Sequence, residues 1–175
     1  VSIVNMLVQN GYGVFVFDFP SEGESEGYVN FHYKDSSFMA EQFYNAMVVY
    51  SQLASLPAEK IHIVGYGEGA RAALETVGYN YFSPNTLTLI GCSLNLSEKT
   101  DFDIINYVND RKLDWVSNLK RSISCNVHIV YSDMDEISNK ADNEALAKLI
   151  LKTTTSELKN VPHCFLMRST SAADA

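Results

Sequence analysis

The sequence predicts an α/β domain built on a doubly wound, mostly parallel sheet. Short apolar runs rich in β-branched residues alternate along the chain with amphipathic helical segments. One run, Ile61 to Val64, leads straight into Gly65-Tyr66-Gly67-Glu68-Gly69 and then into an alanine-rich segment. Residues able to do chemistry gather just after the runs, where doubly wound sheets place their sites.

The elements follow in order. Val1, Ile3, Val4, Leu7 and Val8 have helical spacing, and Asn10-Gly11 is a helix stop. Val14 to Phe17 is expected as a strand buried on both faces. The acidic, glycine-rich stretch from Pro20 to Gly27 is a loop. Asp35 or Ser36 caps a long helix marked by Met39, Phe43, Met47, Tyr50 and Leu53, and Pro57 stops it. Ile61 to Val64 is the second strand, and Ala70 to Val77 is helical. Leu87 to Ile90 and Val127 to Tyr131 are further strands, with a small helical insertion over residues 98–120 between them. Ala141, Leu146, Leu149 and Ile150 mark another helix. Leu158 to Val161 is a weaker last strand, and Ser169 to Ala175 is a frayed end. No linker or repeat divides residues 1–175, which are expected to form one domain.

Composition excludes several classes of function. A formal charge of −8 disfavours nucleic acid and anionic lipid surfaces. No apolar run approaches the roughly 20 residues that span a bilayer, and no signal-peptide pattern is visible. Cys92 should end one strand and Cys125 should begin another, at opposite ends of the sheet and too far apart to bridge. With Cys164 they are expected as free thiols, which favours a reducing, cytoplasmic setting. No Cys/His spacing suggests zinc, and no cofactor is called for.

Three strand ends carry the chemistry. Gly65, Gly67 and Gly69 let a strand reverse sharply into a helix. The alternatives for this turn are a plain structural bend or a phosphate cradle. Glu68 at the helix start and the lack of a following lysine disfavour phosphate. Asp135 follows Val127 to Tyr131, with Asp133 as a competing carboxylate and a helix N-cap as its plainer role. His163 follows the last strand, where an ordinary loop histidine is the plainer reading. His62 and His128 lie within strands and are expected as packing residues. His32 belongs to a surface cluster with Tyr28, Phe31 and Tyr33.

These motifs resemble the α/β-hydrolase superfamily, in particular the small lidless serine aminopeptidase, esterase and acyl-hydrolase type. Gly65 to Gly69 resembles the nucleophile elbow G-x-S-x-G, and the order elbow, Asp135, His163 matches the family's nucleophile, acid, histidine. Asp18, Gly23, Ser25 and Gly27 match the family's loop after its fourth strand, with Pro20 and Ser21 replacing an arginine and a glycine. The resemblance makes Ser25 structural rather than nucleophilic. It covers Val1 to about Phe165.

Gly67 stands where the family places its serine. The resemblance therefore implies a hydrolase-like protein impaired as a serine hydrolase, whose ligands are small esters, amides or acyl compounds. Its alternatives are an enzyme in which an Asp135–His163 dyad activates water or abstracts a proton, a non-catalytic binding module, and a serine hydrolase changed at this one position. Glu68 would give one oxyanion N–H; the second would come from upstream of Val1. A chain beginning inside a helix is expected to be a fragment or a processed product. By the family order, a third strand should lie between Val14–Phe17 and Ile61–Val64. Upstream residues or a partner chain would supply it, unless those two strands pair directly.

Overall fold

The computed structural model describes residues 3–27, 36–92 and 123–163. Helix α1 spans Ile3–Gln9 and α2 spans Ser36–Ala54. Strand β1 is His62–Tyr66, α3 is Glu68–Gly78 and β2 is Thr86–Ile90. Strand β3 is Asn126–Ser132, α4 is Lys140–Leu149 and β4 is Thr153–Leu158. The expected insertion at 98–120, the His32 cluster, Cys164 and the chain end from Ser169 lie outside the described residues.

The described strands form one sheet in the order β1-β2-β3-β4, and every pair is parallel. Helix α3 carries the chain from β1 to β2, and α4 carries it from β3 to β4. Ile63, Leu87, Leu89, Val127 and Ile129 are almost wholly buried on one sheet face. They form one apolar cluster with Ala70, Ala73, Leu74 and Val77 of α3 and Leu146 of α4. Helix α2 adds Met39, Phe43 and Met47 to that cluster through its contact with α3. The core thus follows from period-2 strands meeting period-3.6 helices.

Several expectations need correction. Val14 to Phe17 forms no strand and does not pair with β1. Nor is it buried on both faces, since Val16 is 67% exposed. Its alternate residues pack instead: Phe15 stacks on Tyr50 and Phe17 meets Phe43, both side chains of α2. A strand needs a ladder partner, and the apolar run alone does not specify one. Along its other edge β1 has no partner among the described residues.

The last strand lies earlier than expected, at Thr153–Leu158. A search for an apolar run misses it, because this edge strand is threonine-rich and has no buried residue. His62 and His128 do not pack in the core. Both lie on the open face of the sheet, where His62 Nδ1 meets Thr86 Oγ1 at 2.8 Å and His128 Nδ1 meets Thr154 Oγ1 at 2.7 Å. Leu53 is 77% exposed near the end of α2. Cys92 and Cys125 are free and buried.

Candidate active site

The turn after β1 is built for close approach. A Cβ on Gly65 would lie 2.5 Å from the Ala70 Cα, so only glycine lets α3 fold back onto the strand. Gly67 sits at φ 54°, ψ −121°, where a side chain is strained, and it caps α3. Its N–H is held by the Ile90 carbonyl at 2.9 Å, and its own carbonyl accepts from Ala70 and Arg71. Gly69, by contrast, has open space around it. The Glu68 N–H opens α3 and belongs to the amides that a helix leaves without an intrahelical acceptor.

The turn after β3 presents Asp135, which is 5% exposed. Its Oδ1 accepts from the Ile137 and Ser138 N–H groups at 2.9 and 2.7 Å. The Ser138 hydroxyl donates to the Cys92 carbonyl, and the Asn143 amide donates to the Ser138 hydroxyl at 2.8 Å. Ser138 and Asn143 are wholly buried, so the loop carrying the carboxylate is tied both to the chain just past β2 and to α4. The N-cap of α4 is Asn139, whose side chain accepts from the Asp142 N–H.

His163 follows β4. Its Nδ1 lies 2.9 and 2.8 Å from the two Asp135 carboxylate oxygens. A carboxylate accepts, so Nδ1 carries a proton, and in the neutral imidazole Nε2 presents its lone pair. Asp133 is engaged elsewhere, accepting from the Asn160 N–H at 2.8 Å and facing Lys159. Tyr66 holds the histidine from the elbow side. Its ring lies 5.8 Å from the imidazole at an interplanar angle of 25°, and its hydroxyl donates to the His163 carbonyl.

The three strand ends converge. A Cβ built on Gly67 would lie 3.7 Å from His163 Nε2. Nε2 has no hydrogen-bond partner among the described residues, and the His163 side chain is 14% exposed. Gly91, at the end of β2, was not singled out in the sequence. A Cβ there would lie 3.4 Å from both Asp135 Oδ2 and His163 Cε1, at a φ of 58°. Its only sequence signal is a glycine directly after a parallel strand. The Ser25 hydroxyl donates to the Asp18 carbonyl. Among the described residues no group of three His, Cys, Asp or Glu side chains could hold a metal ion.

No family model matches the sequence, and no curated protein matches it either. Solved structures do match. The Paleococcus ferrophilus monoacylglycerol lipase superposes with a TM-score of 0.68 at 14% identity, over 91% of this chain and 78% of that one. A predicted CIB-like hydrolase from Thermoplasma acidophilum gives a TM-score of 0.67 at 16% identity, over 93% and 68%. An alpha-beta serine hydrolase homologue from Coxiella burnetii gives 0.60 at 13%, over 86% and 62%. This chain has an α/β-hydrolase fold. No described helix is long and apolar enough to cross a membrane.

Proposed function

We propose that this protein is a hydrolase-fold relative of ester, peptide and acyl hydrolases that has lost serine chemistry and keeps an Asp135–His163 dyad. One observation carries the reading: Nδ1 of His163 is held by both oxygens of Asp135, while Nε2 faces the bare backbone of Gly67. Without an Oγ at position 67 no acyl-serine forms at the elbow. A dyad so oriented works as a general base, taking a proton from water or from a bound substrate. The Glu68 N–H is the oxyanion donor the elbow provides. The ligand class is a small ester, amide or other acyl compound.

The chain spans 62–78% of the lengths of the three neighbours named above. The edge of β1 that has no partner among the described residues supports a companion proposal. A strand from another segment or another chain pairs there and completes the sheet, because open strand edges invite pairing.

The test is hydrolysis of a panel of short acyl esters and amides by the protein and by Asp135→Asn and His163→Gln. Turnover that vanishes in both variants supports the dyad. Turnover indifferent to both would sink it.

A further inference from the structure

We infer that His163 Nε2 is itself a nucleophile toward acyl donors with good leaving groups, such as aryl esters and thioesters, and carries the acyl group as an N-acylhistidine. The inference rests on the dyad reading above and adds a covalent step to it.

The geometry comes first. In a serine site the hydroxyl would stand between imidazole and substrate. Here the Cβ position of residue 67 is empty and lies 3.7 Å from Nε2. An acyl carbon advanced to that point sits close to the ~3–3.5 Å of a near-attack arrangement. Asp135 occupies Nδ1 with both oxygens, at 2.8 and 2.9 Å, so the lone pair available for attack is on Nε2. That atom has no competing hydrogen bond among the described residues. His128 contrasts with it, having Thr154 on Nδ1 and Ser156 on Nε2.

The chemistry balances without a further reagent. The Nε2 lone pair forms a bond to the acyl carbon as the carbonyl π pair moves to oxygen. The tetrahedral adduct collapses, and the bond to the leaving group breaks with its pair, releasing phenolate or thiolate. The ring now carries positive charge. Asp135 stabilises it through the Nδ1–H, and the Tyr66 ring lies against its face. Water then adds to the acyl carbon, its proton passes to solvent, and the C–N bond breaks with its pair returning to Nε2. Acyl donor plus water gives acid plus phenol or thiol.

The leaving group decides the route. From the adduct an imidazole nitrogen departs more readily than an alkoxide, so alkyl esters revert. Phenolate and thiolate depart more readily still, so aryl esters and thioesters go forward. Alkyl esters are left to slower attack by water with His163 as base.

The experiment mixes the intact protein with p-nitrophenyl acetate and follows p-nitrophenolate release on the millisecond-to-second scale. Samples quenched cold are analysed by intact and peptide mass spectrometry. We expect a burst approaching one equivalent and an acetyl adduct on the His163 peptide, removed by neutral hydroxylamine, which spares lysine amides. The burst is lost in His163→Gln and all but lost in Asp135→Asn, where the proton moves to Nε2. An adduct that survives hydroxylamine, or that maps to His62, His128 or a lysine, overturns the proposal. Steady turnover that has no burst or adduct and is lost in Asp135→Asn overturns the nucleophile and keeps the dyad as a base. No release above the His163→Gln level, with wild-type and variant equally folded by circular dichroism, overturns both.

Discussion

The Cβ position of Gly67 lies 3.7 Å from Nε2 of His163. That separation leaves room for a hydroxyl oxygen between the two, and the imidazole already presents its lone pair there. Gly67→Ser is therefore expected to build a serine, histidine, aspartate arrangement without other change. Ester hydrolysis should rise by about 10² or more over the parent, since triad members act together. A fluorophosphonate probe should label the introduced hydroxyl of the variant and no serine of the parent at the elbow. A positive φ of 54° costs a non-glycine residue about 1–3 kcal/mol, so the variant should melt at a lower temperature. Probe labelling of the parent beside His163 would contradict the account.

Asp135→Asn separates charge from shape. The amide oxygen can still accept from the Ile137 and Ser138 N–H groups, so the loop keeps its bonds and the melting temperature moves little. The amide nitrogen, however, donates toward Nδ1 and forces the proton onto Nε2. In the Gly67→Ser background kcat should fall by about 10⁴. Nitrogen-15 spectra of labelled histidine should report the exchanged tautomer. An unchanged tautomer would break the link between this carboxylate and the imidazole.

The sequence made most of this candidate site's geometry legible because its parts are local. Gly65 and Gly67 betray a turn that admits no side chain, and Asp135 and His163 each directly follow a strand or its loop. Fold class was legible because Ile63, Leu87, Leu89, Val127 and Ile129 lie in apolar runs whose burial on helices needs no other knowledge. What failed was non-local. Val14 to Phe17 has the pattern of a strand, but pairing depends on a neighbour its own residues do not specify. Thr153 to Leu158 pairs along β3 with few apolar residues, since a ladder is made by backbone groups. The support of Asp135 by Ser138 and Asn143, and the crowding of Gly91 against the dyad, arise only when separate segments meet.

The thiol of Cys92 gives a test of the core beneath the site. Burial pushes it up to about 12, with Arg71 opposing the shift and Glu75 adding to it. Burial also raises Cys125. At pH 8 both should stay protonated and resist iodoacetamide in the native protein, and both should react once it is unfolded. The linkage has a definite sign. The folded state retains the Cys92 proton more tightly than the unfolded chain. Its contribution is therefore fully present below pH 9 and is lost as pH rises from 9 toward about 12. Chemical denaturation at pH 8 and pH 10.5 should show the lower stability at the higher pH. Rapid native labelling of Cys92 at pH 8 would mean that the floor of the site opens readily.

Gly91→Ala tests whether the dyad needs the space that β2 leaves for it. The new methyl would stand 3.4 Å from Asp135 Oδ2 and His163 Cε1, which is ordinary contact, so it need not displace either group by itself. The backbone adds the larger effect. At a φ of 58° alanine costs about 1–2 kcal/mol, and the strand end relaxes by turning away from that conformation. The Gly91 N–H is bonded to the Val130 carbonyl at 2.9 Å, so such a turn pulls on β3, whose next loop carries Asp135. The expected outcome is a modest loss of stability with a larger loss of dyad order. The His163 Nδ1–H resonance, slowed in exchange by its carboxylate partner, should broaden or vanish while the far-ultraviolet spectrum is retained. Gly91→Val carries more bulk toward the same pair and should extend both effects. A sharp, unshifted Nδ1–H signal in the alanine variant would show that Gly91 serves the turn alone and has no part in setting the dyad.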